Sequence, residues 1–242
     1  MTSTPWPAGP VRPRLAPGTV DVWCADLASA TTGADDTHAL LAPDERERAA
    51  RFADPAHGRR WAAGRGILRA LLAAYVDADP AALRFAEGAH GKPALANEGA
   101  DDEAGRGAAS TGARRLRFNL SHSGDVALYA ITLDREVGVD VELPRRAVDH
   151  VAIARRILGA QEAERLATLD PPARERAFLR AWVRWEAVLK CRGTGIAGAD
   201  APAADDDPWV RELEIGAPAA AALAVAGGRA TVRCWRWPVT GA

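Results

Sequence analysis

Lysine is almost missing from this chain. Of its 31 basic residues only Lys92 and Lys190 are lysines; the rest are arginines. A chain that uses arginine everywhere else keeps lysine either by chance or where a compact ammonium on a flexible stem is needed. Cysteine is scarce as well. Cys24, Cys191 and Cys234 are odd in number, widely spaced and form no C-x-x-C pair, which excludes a disulfide framework and a zinc knuckle and suits a reducing cytosol. An excess of one charge is also lacking: 31 basic against 32 acidic residues give a net charge of -1. Such a balance argues against a general nucleic-acid binder, which needs a net basic surface. The apolar run Ala219 to Ala226 is far too short to span a bilayer. The start, Met1-Thr-Ser-Thr-Pro-Trp-Pro, has no basic stretch leading into an apolar core, so no signal peptide is expected. The expectations are a cytoplasmic protein with neither nucleic-acid nor membrane partners.

What is present is ordinary for a soluble globular protein: 242 residues, 48% of them hydrophobic, enough for one large domain or two fused smaller ones. The proline-rich residues 1–18 read as an extended arm, and Val20 to Leu27 as a first strand. Pro43-Asp-Glu45 opens a helix to about Phe52. A second helix is predicted from Ala56 to Val76, with Trp61, Leu68, Leu71, Leu72 and Tyr75 as its buried stripe. The Gly-, Ala- and acid-rich stretch Ala96 to Ala113 reads as a loop between strands. Strands follow at Leu116–Leu120, Asp125–Thr132 and Val137–Leu143. Helix is predicted over Ala152–Leu169 and, most strongly, over Arg174–Arg192, ended by Gly193. An acidic loop, Asp200 to Pro208, leads to closing strands, the last at Ala230–Trp237. Strands and helices mix without regular alternation, which makes the class α+β.

Four clusters carry chemical possibilities. In Val137-Gly-Val-Asp-Val-Glu142 the alternation of a strand sends three valines to one face and Asp140 and Glu142 to the other. Carboxylates two residues apart, roughly 6.5–7 Å at the backbone, can serve one hard cation such as magnesium, or can form a plain solvated acidic face. Glu186 and Lys190 are four apart on the strongest helix, either a surface ion pair or a ligand or base beside a phosphate contact. Ser121-His-Ser-Gly124 lacks the surroundings of a nucleophile elbow and reads as phosphate donors or as a structural histidine. Arg46, Arg48, Arg51, Arg59, Arg60, Arg65 and Arg69 form a basic stretch, either two solvated helix faces or a grip on a polyanionic ligand.

Taken in order, His90-Gly-Lys-Pro93, Phe118-Asn-Leu-Ser-His-Ser-Gly124, Val137-Gly-Val-Asp-Val-Glu142 and Phe178-x3-Trp182 running into Glu186-x3-Lys190-x2-Gly193 resemble the phosphopantetheinyl transferases of the two-halved, surfactin-synthetase-activating type. The likeness covers most of residues 40 to 196. It implies two similar α/β halves fused as an internal pseudo-dimer, divided near Gly124 into residues 1–124 and 125–242, with the site in the cleft between them and the protein working as a monomer. It further implies magnesium held by Asp140, Glu142 and Glu186, with Lys190 on the pyrophosphate of coenzyme A. Arg48, Arg60, Lys92, Ser121 and His122 would hold the nucleotide and its phosphates, and Gly91 and Pro93 would shape the loop that meets the adenine. Where the family commonly has a lysine before the helix glutamate, this chain has Trp185, which fits the apolar stripe.

The implied reaction moves the 4'-phosphopantetheine arm of coenzyme A to a serine of an acyl or peptidyl carrier protein and releases 3',5'-ADP. A metal-dependent nucleotide phosphohydrolase and a non-catalytic coenzyme A-binding module are the alternatives. The scarcity of lysine yields a test: Lys190→Arg keeps the charge but swaps a point donor for a wide rigid fork, so turnover should fall more than coenzyme A affinity. Steady-state kinetics on a carrier protein, after checking for a normal melting temperature, decide it. Wild-type turnover would leave chance as the reason for the lysine.

Overall fold

The computed structural model describes residues 5–32, 37–88, 91–96, 116–145, 148–195 and 207–237. Strand β1 (Thr19–Asp26) is buried along nearly its whole length, as suits a strand covered on both faces. Short α1 (Leu27–Thr32) and α2 (Pro43–Ala50) lead into the 22-residue α3 (Pro55–Val76). The Asp54 side chain caps α3 by accepting from Ala56 N, Pro55 sits in the first turn, and left-handed Asp77 ends it. A hairpin of β2 (Phe85–Glu87) and β3 (Pro93–Leu95) follows. Next come β4 (Leu116–Ser123), β5 (Val126–Leu133) and β6 (Val137–Glu142).

The helix expected over Ala152–Leu169 is two helices, α4 (His150–Ile157) and α5 (Ala160–Ala167). Gly159 breaks it, at a φ of 99° that side-chain-bearing residues rarely adopt. Helix α6 (Pro171–Arg192) begins three residues before the expected Arg174, because Asp170 caps it and Pro171 opens it. It ends at left-handed Gly193, as predicted. Strands β7 (Trp209–Glu212), β8 (Ala220–Val225) and β9 (Thr231–Arg236) complete the described elements. His90, the loop from Ala96 to Ala113 beyond its first residue, and most of Asp200–Pro208 lie outside the described residues.

The first sheet has the order β4-β5-β1-β9 and the second β6-β8-β7. Strand β9 lies parallel to β1, with Val22 opposite Cys234. Buried Asp21 of β1 secures it, accepting from Arg233 Nε at 2.6 Å, Tyr75 Oη at 2.6 Å and Trp235 Nε1 at 3.2 Å. The proline-rich arm is extended: Gly9 N donates to Arg236 O and Arg236 N to Pro7 O, covering the free edge of β9.

Four layers result. Helix α3 packs Ile67, Leu68, Leu71 and Leu72 onto Trp23, Phe118, Tyr129 and Ile131 of the first sheet. The other face of that sheet, with Val20, Val22, Leu128 and Ala130, meets Val137, Val139, Val141, Leu223 and Val225 of the second. On the far side of the second sheet, α6 rests Val183, Ala187 and Cys191 against Ala222 and Ala224. Beside the small β2–β3 hairpin, the mixed α and β architecture is therefore two larger sheets, each backed by a 22-residue helix, in agreement with the two-halved α+β expectation. Gly124 is the turn of the fully paired β4–β5 hairpin, so a division placed there separates two hydrogen-bonded strands.

Contact between α6 and β6 is extremely close at Gly138, where a Cβ would stand 2.1 Å from Ala187 O and 2.3 Å from Cys191 N. Gly138→Ala should therefore cost roughly 1–3 kcal/mol by overpacking, with about 2–4 °C of melting temperature lost per kcal/mol in a chain of this size. At Gly64 in α3 a Cβ comes no nearer than 3.6 Å to Tyr129 Oη. Gly64→Ala should leave stability unchanged or raise it by up to about 1 kcal/mol through helix propensity, with the melting temperature following. Equal falls in both variants would remove the close approach as the cause.

Candidate active site

A cavity of about 770 Å³ opens between α2, α3, the β2–β3 hairpin and the β4–β5 hairpin. That volume is ordinary for a small-molecule site. Arg48, Arg60, Gly91, Pro93 and His122, five of the residues expected to hold coenzyme A, line it together with Trp61, Arg65 and Phe85. The Arg48 guanidinium lies 5.1 Å from the Trp61 ring centre and Arg65 lies 3.8 Å from that of Phe85, so flat cationic and aromatic surfaces face the space together.

The basic stretch separates into different jobs. Arg65 and Arg69 both bind the buried Glu45 carboxylate, Arg69 Nε at 2.6 Å. Arg69 also donates to Pro80 O and Leu83 O, and Glu45 Oε2 accepts from Ala42 N at the start of α2. Burial alone would raise the Glu45 pKa, but the bonds from Arg69 and Arg65 and from the Ala42 amide hold it below the usual value. Arg60 pairs with Asp125 at 2.6 Å, Arg51 with Glu47 on the surface, and Arg46 reaches Ala39 O. Trp61, expected in the buried stripe, is half-buried and belongs to the cavity wall.

Strand β4 has its ends of chemistry on opposite faces. His122 faces the cavity; the walls around it, then the Lys190 ammonium, lower its pKa, with Glu142 opposing. Ser121 turns the other way and donates its hydroxyl to Asp140 Oδ1 at 2.7 Å. Lys190 Nζ donates to the same Oδ1 at 2.6 Å and to Ser121 Oγ at 2.9 Å. Asp140 is only 3% exposed, which settles the choice between a solvated acidic face and an inward one. Ser123 Oγ donates to Glu142 Oε2 at 2.8 Å, and Arg145 on the rim reaches both oxygens of Glu142. Burial raises the Glu186 pKa; Lys190 opposes this, and the neighbouring Asp140 and Glu142 add to it.

Lys92 is placed elsewhere. Its ammonium bonds Glu136 Oε2 at 2.7 Å, Val137 O at 3.0 Å and Cys191 O at 3.4 Å, tying the Gly91–Pro93 loop to β6 and the end of α6. It is not among the residues that line the cavity. Trp185 packs on Trp182 with ring centres 5.3 Å apart, as an apolar stripe requires.

Among the described residues, no three His, Cys, Asp or Glu side chains converge at metal-ligating spacing. The Lys190 ammonium lies on Asp140 instead. The donor set nonetheless fits a small hard cation: Asp140 Oδ2 is buried with no hydrogen-bond partner among the described residues, and two carboxylates push up the pKa of a third. Sequence reasoning gave no site role to Glu45, Gly138 or Asn119, and read Ser123 only as part of the Ser121–Gly124 cluster. The parts of Asn119 and Ser123 were legible in principle, since Asn119, Ser121 and Ser123 alternate along a predicted strand.

Comparison with known proteins decides the family. Residues 136–235 match the 4'-phosphopantetheinyl transferase superfamily, and residues 32–133 match the N-terminal region described as 4'-phosphopantetheinyl transferase, N-terminal. The 4'-phosphopantetheinyl transferase HetI of Nostoc sp. is 36% identical over 197 residues, covering 81% of this chain and 78% of that protein.

The chain belongs to the 4'-phosphopantetheinyl transferase superfamily.

It is accordingly a transferase enzyme. The putative 4'-phosphopantetheinyl transferase slr0495 of Synechocystis sp. is 33% identical over 66% of this chain and 60% of its own length. The human L-aminoadipate-semialdehyde dehydrogenase-phosphopantetheinyl transferase is 27% identical over 64% of this chain and 49% of its own. The cavity of this transferase is walled by the N-terminal match, and Asp140, Glu142, Glu186 and Lys190 fall in the other.

The Glu45 cluster that props the cavity yields a prediction. Glu45→Ala leaves Arg65 and Arg69 without their shared anion and should cost about 3–5 kcal/mol, as for breaking a buried pair. The folded-state pKa of Glu45 is depressed, so its contribution is present above the unfolded value of about 4.3 and is lost as pH falls through the lower folded value. Melting curves of wild type and variant should therefore differ widely at pH 7 and converge at lower pH. A constant gap across that range would overturn the electrostatic account.

Proposed function

We propose that this protein transfers the 4'-phosphopantetheine arm of coenzyme A to a serine of an acyl or peptidyl carrier protein. The observation that supports it most is on β4: consecutive residues face the two places the reaction needs. His122 looks into the arginine-lined cavity, and Ser121 looks onto Asp140 and Lys190. A nucleotide held in the cavity thus has its pyrophosphate beside the acidic and cationic groups.

The cavity binds the nucleotide end through Arg48, Arg60 and His122, with Trp61 and Phe85 offering flat surfaces to the base. The carrier serine Oγ forms a bond to the β-phosphorus, and the bond from that phosphorus to the bridging oxygen breaks. The bridging oxygen leaves with 3',5'-ADP. Glu186 takes the serine proton through the carboxylate oxygen that the cation would leave free. Lys190 offsets the charge that grows on the departing phosphate. Magnesium is the proposed cation, held by Asp140, Glu142 and Glu186, and when bound it would neutralise pyrophosphate charge as a Lewis acid. The remaining chemistry is positioning and electrostatics.

The working form in this reading is a cytoplasmic monomer, since one chain supplies both helix-backed sheets. Among the described residues no helix is long and apolar enough to cross a membrane. The N-terminal half supplies the coenzyme A contacts and the C-terminal half the carboxylates. A division between β5 and β6 keeps the β4–β5 hairpin whole.

Intact-mass measurement of apo acyl and peptidyl carrier proteins, incubated with coenzyme A, magnesium and the protein, tests the reading. The carrier should gain the mass of one phosphopantetheine arm while 3',5'-ADP is released, and Asp140→Asn should lower the rate by about 100-fold or more, roughly 2.7 kcal/mol. Release of 3',5'-ADP with no carrier present would favour the phosphohydrolase instead.

A further inference from the structure

Strands β4 and β6 are neighbours that belong to different sheets. Among the described residues β4 pairs its backbone with β5 and β6 pairs with β8, not with each other. What spans the gap is a row of side chains from every second residue of β4. Asn119 Oδ1 accepts from Val139 N at 2.9 Å, Ser121 Oγ donates to Asp140 Oδ1, and Ser123 Oγ donates to Glu142 Oε2. All three residues are buried.

The direction of each hydroxyl is forced. A serine has one proton to give and lone pairs to receive with. Ser123 Oγ accepts from Leu143 N at 3.1 Å, so its own proton is left for Glu142. Ser121 Oγ accepts from Lys190 Nζ, so its proton is left for Asp140. Each serine thereby ties down one oxygen of one carboxylate. The other oxygen of Asp140 has no partner among the described residues, and the other oxygen of Glu142 meets Arg145, an exposed rim residue, at 3.3 Å.

We propose that Asn119, Ser121 and Ser123 are positioning residues that orient Asp140 and Glu142 for a divalent cation, with Ser123 acting on Glu142. Asn119 sets the register of β6 through the Val139 amide, and the two serines fix which oxygen of each carboxylate is left to the cation. This rests on the reading of Asp140, Glu142 and Glu186 as a magnesium site. It gives Ser121 a part in the carboxylate site in place of the nucleotide contact expected from the sequence.

The test uses magnesium chloride and the full chain, without coenzyme A or carrier. Magnesium should raise the melting temperature of the wild type by binding the folded state. Ser123→Ala should need roughly 10–100-fold more magnesium for half of that rise, the usual effect of removing a group that orients a metal ligand. Ser123→Thr, which keeps the hydroxyl, should restore the wild-type midpoint. Coenzyme A affinity measured by calorimetry without metal should stay within about twofold of wild type, since the Ser123 side chain does not line the cavity. In a Glu142→Gln background Ser123→Ala should add nothing further, because its effect runs through that carboxylate. If Ser123→Ala does not fold, Ser123→Cys keeps the volume with a weak donor and should shift the midpoint the same way. No magnesium-induced rise in the wild type would overturn the metal reading itself. A rise with the same midpoint in wild type and Ser123→Ala would overturn only the role given to Ser123, as would a lowered metal-free melting temperature with an unchanged midpoint.

Discussion

The absence of one side chain, at Gly138, decides how close α6 can come to β6. Any Cβ there would collide with the backbone of Ala187 and Cys191. Ala222 and Ala224 of β8 extend the same shallow seat under the helix. With the helix seated that low, Lys190 reaches Asp140 at 2.6 Å and Glu186 shares the field of two strand carboxylates. Raising the helix by even one methyl radius would part the groups that the chemistry needs together, since packed interiors transmit small displacements rather than absorb them.

The same low seat explains why a lysine suits this place. Lys190 brings a single ammonium to a serine hydroxyl and a carboxylate at once, in a space where Asp140 is nearly inaccessible. Arginine serves where a broad fork is wanted: Arg69 spreads its donors over Glu45, Pro80 O and Leu83 O. Both lysines have ended in confined polar settings, but for different purposes. Lys190 joins the carboxylate cluster, whereas Lys92 ties a loop to the end of a helix.

Much of this was legible in the sequence, because much of it is periodic. The alternation in Val137–Glu142 put three valines on one face, and all three are fully buried between the sheets. Helix ends marked by Asp-Pro and Gly were readable within a few residues. Gly159 was overlooked as a break, although a glycine inside a helical pattern is a weak point in it. Partners chosen across long stretches were not readable: Lys92 finds Glu136 44 residues on, and Glu45 gathers Arg65 and Arg69 from the next helix. Local periodicity says which way a side chain points and not what waits there. One hint of internal similarity was passed over. Both 22-residue helices open on Asp-Pro, at Asp54-Pro55 and Asp170-Pro171, and both close on a left-handed residue.

The place of β9 bears on how such a chain comes to be folded. The first sheet needs β9 beside β1, and Asp21 is buried against Arg233, 212 positions later in the sequence. At roughly 5–20 residues per second of synthesis, β1 waits about 10–40 s for its parallel neighbour. Through that interval the charge of Asp21 lacks its arginine and one edge of β1 lacks its ladder. The two halves therefore cannot mature as independent units in order of synthesis. The older half stays open until the younger one has supplied β9 to the edge of β1.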